Sequence, residues 1–323
     1  MTQEPLVSVI IPAYNAEKYI EMAVKSVLKQ SYPNIEIIVI NDGSTDNTMD
    51  VLSHLDGCVV VSTENKGVSN ARNVGIDISK GEYISFLDAD DELEKYAIES
   101  LMNACLKYDA DICGGLYSEN INDGSNVEEF FDQDTLLRYC IEDRFYTSPV
   151  WSKIYKKKFI GNARFMGGYR LHEDHFFNFE LALKMPKCVN LNKLVYRKRA
   201  VSTSASCSTK ASDSYLDINR LAKIKYEKII QEYPEYKDYA KNILIKANLA
   251  SLIKIMNMKG IYKKYEDVCI NDICRDAKFY IPVWSFENKL FFIITHHLYR
   301  PFKLYMFFRR AVSDFVRFFK IEE

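Results

Sequence analysis

No CxxC pair occurs in this sequence. Its eight cysteines, Cys58, Cys105, Cys113, Cys140, Cys188, Cys207, Cys269 and Cys274, are scattered along 323 residues. That spacing excludes the common thiolate metal knots, and the length excludes a small disulfide scaffold. Reduced, mostly buried thiols in a cytoplasmic protein are the expectation. An excess of one charge is also missing. Lys+Arg number 43 and Asp+Glu 44, a formal net charge of −1, so no global argument favours nucleic acid as a partner. The opening MTQEPLVSVIIP lacks the basic region and long apolar core of a signal peptide. Leu290 to Tyr299, the longest uncharged apolar stretch toward the C-terminus, is too short to cross a bilayer as a helix. There is no internal repeat and no low-complexity tract. Apolar residues make up 48% and charged residues 27%, the balance of a globular protein with ample core. The length suits one large domain with an extension, or two domains.

The first third alternates strand and helix. Val7 to Ile11, closed by Pro12, is a β-branched run that reads as a strand buried on both faces. Ala16 to Gln30 has helical spacing, with Ile20, Ala23, Val24, Val27 and Leu28 on one face. Ile35–Ile40, Val59–Ser62 and Tyr83–Leu87 read as further strands; Asn47–Leu55, Ser69–Ser79 and Ala97–Lys107 read as helices. Short polar loops join them, the pattern of a parallel sheet covered by helices. Past Asp109 the regularity weakens. Glu119 to Asp134 reads as an acidic loop, Leu171 to Met185 as a helix, and Val201 to Ser214 as a flexible linker. From Tyr215 the chain reads as helical, near 215–231, 236–258, 261–276 and 285–320. Domains of 1–212 and 213–323 follow.

The chemistry concentrates at strand ends. The strand ending at Leu87 runs into Asp88, Asp90 and Asp91, three carboxylates within four residues. Like charges this close need a cation or hydrogen-bond donors, and carboxylate oxygens suit Mg²⁺ or Mn²⁺. In open α/β sheets the ligand crevice lies at the carboxyl ends of strands. Pro12 and Tyr14 follow the first strand there and Asp42 the second. An aromatic face, a lone acid and a metal-binding pair on one edge suit a nucleotide and its diphosphate. Asp42 could alternatively bond its own turn, and Asp88 or Asp90 could cap a helix.

Four segments, VSVIIPAYNAEKYI, IEIIVINDGSTDNT, NKGVSNARNVGIDISKGEYISFLDADD and the later HED, together resemble a family 2 glycosyltransferase of the GT-A fold. The resemblance spans roughly the first two-thirds of the chain. It implies inverting sugar transfer from a nucleotide-sugar, most often a UDP-sugar, with Mn²⁺ or Mg²⁺. Tyr14 would lie against the base and Pro12 would shape its pocket. Asp42 would accept a hydrogen bond from uracil, and Arg72 would sit near the base or phosphates. Asp88-Ala89-Asp90 matches the DXD motif. Asp90 would ligate the metal, and Asp88 would act through water or on the ribose. In His172-Glu173-Asp174, Asp174 would be the general base. Trp151 and Glu173 fall on the acceptor side, where Trp151 could stack on a sugar or anchor the core. Lys153 could face a phosphate and is expected to face solvent; His172 and His175 could meet a metal or diphosphate and are expected to be structural or solvent-facing.

The tail carries Lys289, Arg300, Lys303, Arg309, Arg310, Arg317 and Lys320 against one acid, Asp314. Leu304, Phe308, Val312, Phe315 and Phe319 recur at helical spacing, with a kink expected at Pro301. Such a face suits a membrane surface through 285–320, or packing on other helices or a second subunit. The expected partners are therefore a UDP-sugar, a glycan or polyprenyl-linked glycan acceptor, the inner face of the plasma membrane and a second copy. Two rival readings are a non-catalytic nucleotide-sugar scaffold and a sugar-phosphate nucleotidyltransferase. The latter relies on a glycine-rich basic loop where this chain has PAYNAEKY.

Overall fold

The computed structural model describes residues 4–117, 128–131, 135–136, 138, 149–169, 172–199, 215–255, 263–280 and 285–296. The chain falls into two compact units, Met1–Lys210 and Ala211–Glu323.

In the first unit β1 (Val7–Ala13), β2 (Ile35–Asp42), β3 (Val59–Thr63) and β4 (Tyr83–Phe86) are separated by α1 (Ile20–Leu28), α2 (Thr48–Ser53) and α3 (Val68–Ile78). β5 (Glu92–Leu93), α4 (Ala97–Tyr108), β6 (Ile112–Leu116), β7 (Glu128–Phe131) and β8 (Lys153–Lys156) follow. After them come α5 (Lys157–Ile160), α6 (Glu173–Ala182), β9 (Cys188–Leu194) and β10 (Tyr196–Arg197). Eight strands form one sheet in the order β3-β2-β1-β4-β8-β6-β9-β7, and β10 pairs with β5 in a separate ribbon. The β3-β2-β1-β4 half is parallel. β8 is antiparallel to both β4 and β6, β9 is parallel to β6, and β7 closes the edge antiparallel to β9.

The largely apolar run of β1 has a physical cause, since both faces are covered. Val7, Val9 and Ile11 join α1 and α4 in the main core. On the other face α3 comes so near that a Cβ on Gly75 would lie 2.4 Å from Ile10 Cγ2. Replacing glycine by alanine in a helix ordinarily gains roughly 0.5–1 kcal/mol. Here the fully buried Ile10 would have to move, and overpacking a core costs about 1–3 kcal/mol. Gly75→Ala should therefore lower the free energy of unfolding by urea rather than raise it.

β1 continues through Pro12 to Ala13, two residues beyond the expected close. Its pairing with β4 ends at Ile10↔Phe86, while its pairing with β2 continues to Ala13↔Asn41. The Ile10 carbonyl accepts from Leu87 N at 3.0 Å. Pro12, two residues on, directs its missing N–H toward the same side, where β4 has already ended, so no ladder bond is lost.

Beyond Asp109 the structure corrects the sequence reading. Glu128–Phe131, expected within an acidic loop, is the edge strand β7; residues 119–127 lie outside the described residues. β6, β8 and β9 were not foreseen. β6 carries Gly114 and Gly115 with a register shift, and β8 is a four-residue strand with lysine at both ends. The linker expected at 201–214 lies outside the described residues.

The second unit contains α7 (Tyr215–Glu232), α8 (Lys237–Ile255), α9 (Lys263–Asp276) and α10 (Ser285–Thr295). Ile245, Leu249, Leu252, Cys269, Ile273, Leu290 and Ile294 form its core. Of the basic amphipathic segment expected over 285–320, residues 297–320 lie outside the described residues. Among the described residues no helix is long and apolar enough to cross a membrane.

Candidate active site

The carboxyl ends of β1, β2 and β4 open on one edge of the sheet, and each delivers residues singled out above. Tyr14 follows β1 and is 51% exposed. Its loop is pinned to the one after β2. Asn15 N donates to Ser44 Oγ at 3.0 Å, Thr45 N to Asn15 Oδ1 at 2.8 Å and Ala16 N to Thr48 Oγ1 at 2.7 Å. An exposed aromatic on a fixed loop is a stacking platform prepared in advance. Pro12 is buried at the root of this loop.

Asp42 ends β2 and is buried. Its Oδ1 accepts Lys66 N at 3.0 Å and Thr63 Oγ1 at 3.3 Å, and its Oδ2 accepts Gly67 N at 2.7 Å. The carboxylate therefore ties β2 to the loop that starts α3. The local-turn role considered for Asp42 belongs to Asn41, whose Oδ1 accepts Ser44 N at 3.2 Å.

Arg72 of α3 is the hub. It is 4% exposed, bonded through one terminal nitrogen to Asp88 Oδ1 and through the other to Glu173 Oε1, each at 3.0 Å. Its guanidinium lies 5.2 Å from the Phe165 ring centre, and Phe165 stacks on Phe177 of α6 at 4.1 Å. Burial works against this charge. Asp88 and Glu173, with Asp174 beyond them, more than offset it, so Arg72 is held protonated more firmly than usual. Its Nε has no hydrogen-bond partner among the described residues. Arg72 thus ties the β4 terminus to the start of α6, two segments 85 positions apart.

The three carboxylates after β4 have different surroundings. Asp91 is buried, accepting the Tyr196 hydroxyl and Arg199 N, each at 2.7 Å. Burial pushes its carboxyl up to about 6 despite these bonds. Asp91 is thus an anchor for β10, assisted by Arg199 on Glu92 at 2.7 Å. Asp88 and Asp90 remain half-buried. Asp90 is raised above the usual carboxylate range, first by burial and then by the Asp88 charge, with Lys198 and Arg199 pulling the other way. No group of three or more His, Cys, Asp or Glu side chains forms a protein-only cation cage among the described residues. Two hard carboxylates under mutual repulsion still fit a divalent cation completed by phosphate oxygens and water.

At α6, Glu173 is buried against Arg72. Its carboxyl is raised by burial and by Asp174, with Arg72 opposing. Asp174 is the more open of the two acids, with its side chain 20% exposed against 11% for Glu173. Its Oδ1 accepts His175 N at 2.8 Å, and the His175 ring stacks on His172 at 4.4 Å. Trp151, placed on the acceptor side, is buried and stacked on Tyr196 at 4.6 Å, with Tyr117 edge-on at 4.8 Å. Those surroundings are those of a core anchor. Lys153 is buried, not solvent-facing as expected. The Asp91–Tyr196–Arg199 clamp had no sequence signal, because its partners lie more than a hundred residues apart.

A family model described as Glycosyl transferase family 2 matches residues 8–170. Glycosyltransferase GlyG of Streptococcus pneumoniae serotype 4 is 32% identical over 271 residues, covering 72% of this chain and 89% of GlyG. The chain belongs to glycosyl transferase family 2. Glycosyltransferase GlyA of the same organism is 34% identical over 224 residues, 64% of this chain, which spans only 32% of GlyA. Among solved structures, S. aureus TarS 1–349 in complex with UDP-GlcNAc matches with a TM-score of 0.68 at 18% identity, covering 92% of this chain and 89% of that one. At that identity the likeness speaks for the fold alone. This family 2 member is therefore GT-A-like, a mostly parallel mixed sheet with helices, followed by a helical region.

Proposed function

We propose that this glycosyltransferase moves a hexose or N-acetylhexosamine from a UDP-sugar to a glycan hydroxyl by a single inverting displacement. The observation that carries the reading is the Arg72 bridge, which gathers the Asp88 end of β4 and the acids of α6 into one site. Tyr14 and Pro12 take the base. Asp42 shapes the uracil end through the loop that it holds. Asp88 and Asp90 would hold Mg²⁺ or Mn²⁺, which would supply charge compensation on the departing diphosphate. Asp174 accepts the proton of the acceptor hydroxyl as its oxygen attacks the anomeric carbon. The bond from that carbon to the diphosphate breaks, and UDP leaves with the electron pair. Residues 1–212 serve as the transferase domain and 213–323 as a helical domain.

The 38% identity over 141 residues to a putative teichuronic acid biosynthesis glycosyltransferase of Bacillus subtilis supports work in bacterial surface polysaccharide assembly. The basic sequence of 285–320 supports attachment to the inner face of the plasma membrane, near a polyprenyl-linked acceptor. A truncation lacking 285–323 that bound anionic liposomes as well as the full chain would remove that attachment.

Thermal unfolding with UDP, GDP, CMP or dTDP, each with and without Mn²⁺, tests the donor. A ligand at about 100 times its Kd adds roughly 2.7 kcal/mol. The expected result is a metal-dependent rise with UDP alone, abolished in Asp90→Ala. A shift with GDP and not UDP would overturn the donor class. UDP binding without transfer or hydrolysis of any UDP-sugar would leave a scaffold.

A further inference from the structure

The turn that carries Asp88 and Asp90 closes on itself, since Asp91 N donates to the Asp88 carbonyl at 3.1 Å. It leaves β4 and enters β5, and Tyr196 of β10 stands across its base. The Tyr196 hydroxyl donates to Asp91 Oδ2 at 2.7 Å and accepts Asp88 N at 3.3 Å. A phenolic hydroxyl can donate and accept at once, so a single oxygen joins both ends of the turn.

The ring behind that hydroxyl is fixed from two sides. Tyr196 is fully buried. Its ring stacks on Trp151 at 4.6 Å and 20°, and Trp151 makes a parallel bridge with Phe86, the last residue of β4. Its backbone pairs with Leu93 of β5. Tyr196 is therefore registered both to the strand before the turn and to the strand after it. Phenylalanine would stack on Trp151 as well. The hydroxyl brings a polar group into full burial, which is favourable only where the group is bonded. Both of its partners belong to the turn.

We propose that Tyr196 is a positioning residue for the metal pair: its hydroxyl braces both ends of the Asp88–Asp91 turn and so sets how Asp88 and Asp90 are presented to a divalent cation. The proposal rests on the reading of those two acids as the cation site. Tyr196 acts through the Asp88 backbone and the Asp91 carboxylate, not on the cation itself. Removing a hydrogen bond that orients a metal ligand typically lowers metal affinity about 10–100-fold.

The full-length protein with saturating UDP is titrated with Mn²⁺, and free Mn²⁺ is read by electron paramagnetic resonance. Tyr196→Phe keeps the ring on Trp151 and removes the hydroxyl alone. Its Mn²⁺ Kd should rise about tenfold or more, while its UDP affinity in EDTA, read by calorimetry, stays at the wild-type value. A merely structural hydroxyl would lower the melting temperature and leave both constants unchanged. A Mn²⁺ Kd equal to wild type overturns the proposal. So does an equal loss of UDP affinity in EDTA, which would place the fault in the whole crevice. If the variant does not fold, hydrogen exchange of the wild-type protein decides. Adding Mn²⁺ to the UDP complex should slow exchange in β10 as well as in the turn, because a cation that fixes the turn also fixes the hydroxyl bonded to both its ends. Slowing confined to the turn overturns the proposal. Wild-type protein that binds UDP but no Mn²⁺ removes the cation site, and the proposal with it; a cation site indifferent to Tyr196 removes the proposal alone.

Discussion

Asp174→Asn should lower the turnover of UDP-sugar by about 10²–10⁴-fold, the range supplied by a positioned general base. The substitution is isosteric and keeps an oxygen to accept the backbone His175 N, which lies 2.8 Å from Asp174 Oδ1. The fold and the UDP affinity should therefore survive, and the loss should fall on kcat. Glu173→Gln makes the contrast. Glu173 is the more buried acid and is spent on Arg72 at 3.0 Å, so its loss should appear first as a lower unfolding temperature. Rates of UDP release set beside melting temperatures separate the two. If Glu173→Gln lost turnover at unchanged stability while Asp174→Asn stayed active, the roles of the pair would be reversed.

The parallel half of the fold was legible because its physics is local. A strand covered on both faces must be largely apolar, and Val7 to Ile11 is, apart from Ser8, whose hydroxyl is satisfied by Glu36 and the Gly81 N–H. The strand-end acids were legible for the same reason, since repulsion between neighbours in sequence needs no knowledge of the fold. The antiparallel half was not. β8 is four residues ending in lysines, and β7 is a four-residue edge strand defined by its antiparallel pairing with β9. Partner choice divided the acids further. Asp91 resembles Asp90 in sequence, yet Tyr196 and Arg199 claim it from 105 and 108 residues away. Lys153 is the clearest misreading. A lysine in a basic stretch reads as solvated, whereas its ammonium is seated on the Pro149 carbonyl beside Asn178.

Arg72→Met should destabilise the fold more than any other single change at the site. Arg72 satisfies Asp88 and Glu173 at once, so its removal leaves two carboxylates facing each other without a cation. Breaking a buried pair by deleting one partner costs about 3–5 kcal/mol, a large share of a typical domain's stability. Arg72→Lys should rescue little, because a point charge cannot reach two carboxylates from opposite ends of a planar fork. The pH dependence identifies the cause. Without Arg72 the folded-state pKa of Glu173 rises further above its unfolded value, adding to the rise that burial and Asp174 already cause. The folded variant then holds a proton on Glu173 that the unfolded chain releases, so its stability increases as pH falls through that raised value. Denaturant midpoints for wild type and Arg72→Met should therefore differ most near pH 7–8 and converge toward pH 5. Mn²⁺ should narrow the gap at neutral pH by neutralising Asp88. A deficit of the same size at pH 5 and pH 8, indifferent to Mn²⁺, would mean that Arg72 contributes packing against Phe165 rather than charge.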